Sequence, residues 1–213
     1  MDIKSVQNFL GVYSRPSIPP EHFIDNLLKD YEGSKQAWNY LTKDRRFRTE
    51  TLQHFKIGLS DNNEIAIPVF KNGDLIDYKF RTIPPADKGF RRHQGAETWC
   101  FHDDVISECH KDGYLIITEG EMDAMSLWQL GFLNVVSVSS GAQGSTPWVK
   151  HIPDNVKVYI CFDNDEPGRD AADKLAERIG IERCYNVVIP DCKDANELLI
   201  RGGINSDFQI LLD

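Results

Sequence analysis

The 213-residue sequence predicts an α/β protein: a carboxy-terminal parallel sheet with helices on both faces, preceded by a smaller α+β subdomain. Three observations lead there. From Tyr114 onward, apolar runs of strand length alternate with helical patterns, the order that builds a parallel sheet through crossover helices. Upstream, helical spacing gives way to a hairpin around Asn72-Gly73. The charge divides as well: residues 1–100 carry 15 basic and 13 acidic side chains, net +2, whereas residues 101–213 carry 9 and 20, net −11. The expected organisation is a leader over 1–20, an α+β subdomain over 21–112, a sheet domain over 113–203 and a tail over 204–213.

Taken in order, Tyr13 to Pro20 holds three prolines that cannot continue a helix and reads as an extended leader. Phe23, Leu27 and Leu28, then Trp38 and Leu41, then Leu52 and Phe55 recur at helical spacing, with Thr49 placed to cap the third segment. Trp38 and Trp128 are assigned to the core. Glu64 to Phe70 and Leu75 to Arg81 flank Asn72-Gly73, whose tolerance of positive φ suits a tight hairpin turn. A basic, loop-rich stretch then runs to Cys100. Next come YLIIT, a helix from Glu121 to Leu130, NVVSVS, a loop, VKVYICF, a helix from Pro167 to Ile179, CYNVVI and a short helix from Ala195 to Ile200. The strand-length runs lack polar alternation, as strands buried on both sides do.

Composition excludes several classes. Hydrophobic residues are 41% and charged residues 27%, with no apolar run near the ~20 residues that a membrane helix needs. Met1 to Leu10 carry no signal- or transit-peptide pattern, so the cytoplasm is the expected compartment. Cys100, Cys109, Cys161, Cys184 and Cys192 are scattered, with no C-x-x-C, which supports neither a disulfide framework nor a zinc ribbon. The set His93, Cys100, His102, Cys109 and His110 matches no compact zinc module.

In open α/β sheets ligands collect beyond the carboxyl ends of the strands, and here those positions are acidic. The first strand runs into Thr118-Glu119-Gly120-Glu121-Met122-Asp123 and the third into Asp163-Asn164-Asp165-Glu166-Pro167-Gly168. Asp163 and Asp165 are able to project to one side, with Glu119 at the same sheet edge. Crowded carboxylates repel unless protonated or bridged by a cation, and an all-oxygen donor set suits Mg2+ or Mn2+. A lone D-x-D reads as a helix-capping turn, and its pairing with Glu119 at a neighbouring strand end turns the reading to a metal site; Glu121, Glu166 and Glu197 read equally as charges in first helical turns. Gly168 and Arg169 open a helix whose amino terminus suits a phosphate, although a turn that requires glycine explains Gly168 as well. The Ser139–Ser145 loop has neither a Walker A lysine nor a G-x-G-x-x-G pattern and reads as a turn at the site's edge.

Basic residues lie upstream. Along Leu75 to Arg81, Ile76, Tyr78 and Phe80 alternate with Asp77, Lys79 and Arg81, placing Lys79 and Arg81 about 7 Å apart on a polar face. Lys88, Arg91 and Arg92 follow, with Phe90 among them and Trp99 beyond, a mixture suited to single-stranded nucleic acid. A solvated edge strand is the alternative. Lys43, Arg45, Arg46 and Arg48 read as an exposed basic loop.

TEGEMDAMSL, SVSSGAQGS, CFDNDEPGRDAA and IPDCKDANELL, in this order and spacing, resemble the Toprim-containing RNA polymerase domain of primases, in particular phage primase-helicases with their mitochondrial relative Twinkle, and DnaG-type primases. AWNYLTKDRRFRTETLQHFKIGL and IAIPVFKNGDLIDYKFRT resemble the amino-terminal part of that domain, so the likeness runs from about Glu21 to Gly203. The resemblance implies a Toprim fold for the sheet domain, with Glu119, Asp163 and Asp165 as catalytic residues and, together with Asp123 and Asp194, as Mg2+ or Mn2+ ligands. It implies nucleotide or template contacts for Lys79, Arg81, Lys88, Arg91, Arg92 and Lys193. Where DnaG-type primases tend to carry a second Asp after Asp194, this chain has Asn196, one charge fewer.

The implied function is the catalytic core of a DNA replication primase, making short RNA primers from ribonucleoside triphosphates on a single-stranded DNA template in a bacterium or a phage-infected cell. A Toprim nuclease and a non-catalytic module that binds single-stranded DNA or docks a helicase are the alternatives. Primases of this type read the template through a zinc ribbon with paired C-x-x-C motifs, and the phage enzymes carry a Walker A motor. Neither motif occurs in these 213 residues, so a replicative helicase and a zinc-binding template-recognition module are the expected partners.

Overall fold

The computed structural model describes residues 15–92, 95–139 and 146–213. Most of the expected leader, His93 and the 140–145 part of the Ser139–Ser145 loop lie outside the described residues. The chain divides into two compact units, one running to Tyr40 and including Leu52–Glu97, the other formed by Leu41–Thr51 and Thr98–Asp213. The division thus falls after Glu97 and not near Asp112, and a short basic segment of the expected first subdomain belongs with the second unit.

In the first unit helix α1 (Pro20–Leu28) begins where the prolines end, because proline at the first helical position gives up an N–H that has no helical partner anyway. It buries Phe23, Asn26 and Leu27 and leaves Leu28 exposed. Helix α2 (Glu32–Asn39) runs into a π-helical turn at Tyr40–Asp44, most of which belongs to the second unit, and α3 (Thr49–His54), whose first turn also belongs there, starts at the threonine expected to open it. Four antiparallel strands, β1 (Gly58–Leu59), β2 (Ile65–Lys71), β3 (Asp74–Arg81) and β4 (Phe90–Arg92), stand in sequence order. The β2–β3 hairpin closes through Asn72 (φ 52°) and Gly73 (φ 84°), the pair of positive φ values that matches the twist of its strands. Phe23 packs edge-on against Tyr78 at 4.9 Å and Phe80 at 5.8 Å. Tyr78 also donates to the Ile18 carbonyl at 3.0 Å, tying the end of the expected leader to the sheet.

The polar face expected on β3 is not simply solvated. Because β4 pairs with it, β3 is an inner strand, and Asp77 is fully buried with its carboxylate 2.6 Å from Arg92 Nε.

The second unit holds β5 (Cys100–Phe101), α4 (Asp104–Glu108), β6 (Tyr114–Thr118), α5 (Glu121–Gln129), β7 (Val135–Val138), β8 (Lys157–Cys161), α6 (Glu166–Ile179), β9 (Cys184–Asn186), α7 (Ala195–Ile200) and α8 (Asn205–Gln209). Its sheet order is β5-β7-β6-β8-β9; β6, β7, β8 and β9 pair in parallel, while β5 joins the edge antiparallel to β7. The sheet is therefore mixed, and a two-residue strand is too short for any periodicity to announce it. Leu115, Ile116, Ile117, Val135, Val136, Val158 and Ile160 are all buried, each fully buried side chain of this kind contributing about 1.5–3 kcal/mol. The expected tail is part of this core: Phe208 packs on Phe132 at 4.9 Å, and Tyr159 Oη donates to the Leu212 carbonyl at 2.8 Å. Trp148 and Trp99 are the buried tryptophans; Trp38 and Trp128 are only half-buried, each lying within one residue of its helix's carboxyl end. Among the described residues no helix is long and apolar enough to cross a membrane.

Candidate active site

The register of the parallel pair β6–β8 sets the site. Thr118 stands opposite Cys161, so Glu119 and Asp163 leave the sheet at the same edge within two residues of the last pair. Glu119 is half-buried, and its Oε2 is buried with no hydrogen-bond partner. Burial raises its carboxyl above the ordinary range; the charges of Asp163 and Asp165 add to this, and the Asp163 backbone N–H opposes it.

Asp163 is 2.9 Å from the Lys193 ammonium, which the turn after β8 brings close by donating Asn164 N–H to the Lys193 carbonyl at 2.8 Å. The hydrogen bond and charge of Asp163 hold Lys193 above its usual pKa. Asp165 caps α6, accepting the Gly168 N–H at 2.9 Å. Gly168 is required here by close approach, since a Cβ would overlap the Asp163 carbonyl oxygen. The helix-cap reading of the D-x-D segment therefore holds for Asp165, whose charge also reaches Glu119.

Asp123 and Asp194 complete that group. Asp194 caps α7 through the Glu197 N–H at 2.7 Å. Asp123, on α5, accepts the Asn196 N–H at 3.0 Å and is pushed up to about 8, first by burial and then by Asp194, with Asp163 adding and Arg45 opposing. The Cys161 thiol is raised as well, by burial and then by Asp123, Asp194 and Asp163. The five acidic residues singled out in the sequence thus share one neighbourhood. Of the remaining acids, Glu121 is buried in the first turn of α5, Glu166 is exposed in the first turn of α6, and Glu197 accepts from the Lys193 N–H at 2.6 Å.

Among the described residues no three His, Cys, Asp or Glu side chains converge as metal ligands. Each of the four aspartates has a partner within the unit: Asp163 faces Lys193, Asp165 and Asp194 face the helix ends they cap, and Asp123 faces Asn196. The donor chemistry, carboxylate oxygens with one buried, unpartnered Glu119 oxygen among them, suits a hard divalent cation.

In the first unit the basic residues separate into two kinds. Arg91 Nε donates to both Glu64 carboxylate oxygens at 3.0 and 2.8 Å, and Arg92 holds Asp77 and the Glu97 carbonyl. Lys79, Arg81 and Lys88 instead surround the exposed Phe90 ring, at 4.8, 5.2 and 5.6 Å from its centroid.

Sequence reasoning passed over Arg45, which lies in the short basic segment Lys43–Arg48. In the second unit its guanidinium donates to the Asn196 side-chain Oδ1 at 2.8 Å. Gln129 stitches the same segment down, accepting the Arg48 N–H at 2.7 Å and donating to the Arg46 carbonyl at 2.9 Å. The basic charge density was the available signal, but nothing local indicated a partner so distant in sequence.

Comparison with known proteins agrees with this geometry. A family described as Toprim-like matches residues 116–199. A Twinkle homolog protein, chloroplastic/mitochondrial, of Arabidopsis thaliana is 29% identical over 73% of this chain and 24% of its own length. A primase homolog protein of the same plant is 31% identical over 68% of this chain and 48% of its own. The chain thus spans about a quarter to a half of the length of these relatives. The RNA polymerase domain of Mycobacterium tuberculosis primase DnaG superposes with a TM-score of 0.76 at 17% identity, covering 90% of this chain and 79% of that one. The chain resembles the Toprim-containing RNA polymerase domain of primases, with a primase-like nucleotidyltransferase fold.

Proposed function

We propose that this chain is the polymerising core of a primase, a metal-dependent nucleotidyltransferase that joins ribonucleotides into short RNA primers on single-stranded DNA. The observation that carries the reading is the buried, unpartnered Glu119 oxygen beside Asp163 and Asp165, a like-charge arrangement that a cation relieves. Glu119, Asp163 and Asp165, with Asp123 and Asp194 around them, would hold Mg2+ or Mn2+, which when bound lowers the pKa of an attacking hydroxyl and neutralises phosphate charge.

The residues themselves have the following roles. The primer 3′-oxygen bonds to the α-phosphorus of the incoming nucleotide, the bond to pyrophosphate breaks, and the hydroxyl proton passes to the other oxygen of the Glu119 carboxylate. Lys193, kept protonated by Asp163, turns to the departing pyrophosphate. Lys79, Arg81 and Lys88 hold phosphates of template or nucleotide while the Phe90 face stacks on a base. Arg91 and Arg92, engaged with Glu64 and Asp77, keep β4 in register beneath them.

No paired C-x-x-C or Walker A motif occurs within these residues, so we assign template reading to a zinc-binding module and translocation to a replicative helicase. One experiment tests the reading: the protein with single-stranded template, labelled ribonucleotides and Mg2+ or Mn2+. Labelled RNA longer than one nucleotide is expected. Cleavage of the template without RNA would make it a nuclease, and binding with neither product would make it a passive module.

A further inference from the structure

We infer that Asn196 is a positioning residue of the acidic site: its side-chain amide fixes the Arg45 guanidinium next to the helix that carries Asp123, so that an anchored cation belongs to the site's charge set. The inference rests on the metal-site reading above and adds residues that the reading does not contain.

Asn196 is 1% exposed, at the second position of α7, and its backbone N–H and both polar atoms of its side chain are engaged. Its backbone N–H donates to Asp123 Oδ1 at 3.0 Å. Its Nδ2 donates to Ser126 Oγ at 2.9 Å and to the Arg45 carbonyl at 3.2 Å, while its Oδ1 accepts from Arg45 Nη1 at 2.8 Å. The polarity of this circuit is fixed. Ser126 spends its hydroxyl hydrogen on the Met122 carbonyl at 2.7 Å, so toward residue 196 it only accepts, as the Arg45 carbonyl does. Two donors and one acceptor on a side chain of this size describe a primary amide; an aspartate would set oxygen against both acceptors. Arg45 is thereby gripped at its carbonyl and at its guanidinium by the same residue whose backbone N–H holds Asp123.

The contrast with the site's other cation gives the arrangement its meaning. Lys193 is 54% exposed on a flexible stem and is able to leave Asp163 for a phosphate. Arg45 is held by a buried amide and stays. A permanent cation lowers the attraction of the acidic group for a free divalent ion, so the ion binds loosely until substrate phosphates add their own oxygens, the usual manner of Mg2+ sites.

The test follows Mn2+ alone binding to the full chain by the paramagnetic resonance of the free ion. Arg45→Gln should tighten Mn2+ binding about three- to tenfold, the effect of removing one nearby charge in a partly screened site, and Arg45→Lys should restore the original affinity. Asn196→Ala, which frees the guanidinium without changing the charge, should tighten binding part of the way. The double variant Arg45→Gln with Asn196→Ala should go no further than Arg45→Gln alone, since the amide acts through the arginine. Unchanged Mn2+ affinity in Arg45→Gln, or additive effects in the double variant, overturns the inference. The Arg45 pair decides the matter even if Asn196→Ala does not fold. Asp163→Ala is the control: if it loses Mn2+ binding while Arg45→Gln is unchanged, the inference alone fails, and if it binds Mn2+ as the parent does, the metal reading fails and takes the inference with it.

Discussion

Asp77 in the first unit and Glu119 in the second are both carboxylates drawn into a sheet, and their surroundings differ. Asp77 is fully buried against Arg92, and Lys79 and Arg81 on the same face lie over the Phe90 ring, while on the opposite face Arg91 grips Glu64. Glu119 is less buried, yet one of its oxygens has no partner, and the charges of Asp163 and Asp165 raise its carboxyl with Lys193 opposing. Burial by itself therefore does not mark a functional charge. A buried charge neutralised within its own unit is part of the architecture, whereas one set among like charges keeps a repulsion that only a proton or a ligand removes.

The largest effect should come from separating the two duties of Asp165. Asp165→Asn keeps an acceptor for the Gly168 N–H and removes the charge, so nucleotide joining should fall on the order of 10³-fold with little change in melting temperature. Asp165→Ala should show the same loss of activity and also cost about 1 kcal/mol of stability through the missing cap. Primer extension and thermal melting of both variants check this, and full activity in Asp165→Asn removes the metal assignment.

On the paired side of the comparison, Arg92→Ala strands a buried carboxylate and should destabilise the chain by about 3–5 kcal/mol, read by urea denaturation. A cost under about 1 kcal/mol would mean that Asp77 does not depend on this arginine.

Asp123 supplies the pH dependence. It titrates near 8 in the folded protein against an ordinary value of 3.8, so between those values the folded chain keeps a proton that the unfolded chain has released. Its contribution is therefore present below the ordinary value and is lost as pH rises through that window. Without divalent ions the melting temperature should decline from pH 5 to pH 8, and Asp123→Asn should flatten the decline and raise the melting temperature at pH 8. An equally steep decline in Asp123→Asn would place the titrating group elsewhere.

The smallest effects belong to the cations around Phe90. Lys79→Ala or Lys88→Ala should each reduce the salt dependence of single-stranded DNA binding by about 0.7 in the log–log slope, and Phe90→Ala should weaken binding by about 1–3 kcal/mol with the slope unchanged. Slopes equal to that of the parent would show this face to be merely solvated.

Much of this was legible before any coordinates. Strand-length apolar runs alternating with helical ones announced β6 to α7 nearly residue by residue, and Asn72-Gly73 announced its hairpin. Glu119, Asp163 and Asp165 were legible as a group because neighbouring parallel strands end at one edge, so position after a strand is already position in space. The antiparallel β5, the packed α8 and the pairing of Asp77 were not.

Local chain chemistry by itself determined the element order, the buried strands and the acidic edge, because periodicity and turn preference act over a few residues and are written in consecutive letters. Tertiary structure alone decided which charges are answered. Asp77 meets Arg92 across 15 residues and Asn196 meets Arg45 across 151. Whether a carboxylate finds a cation, an N–H or another carboxylate depends on how distant segments are oriented when they pack. That choice rests on hydrogen-bond polarity and desolvation at the contact, quantities that exist only once both partners are in place.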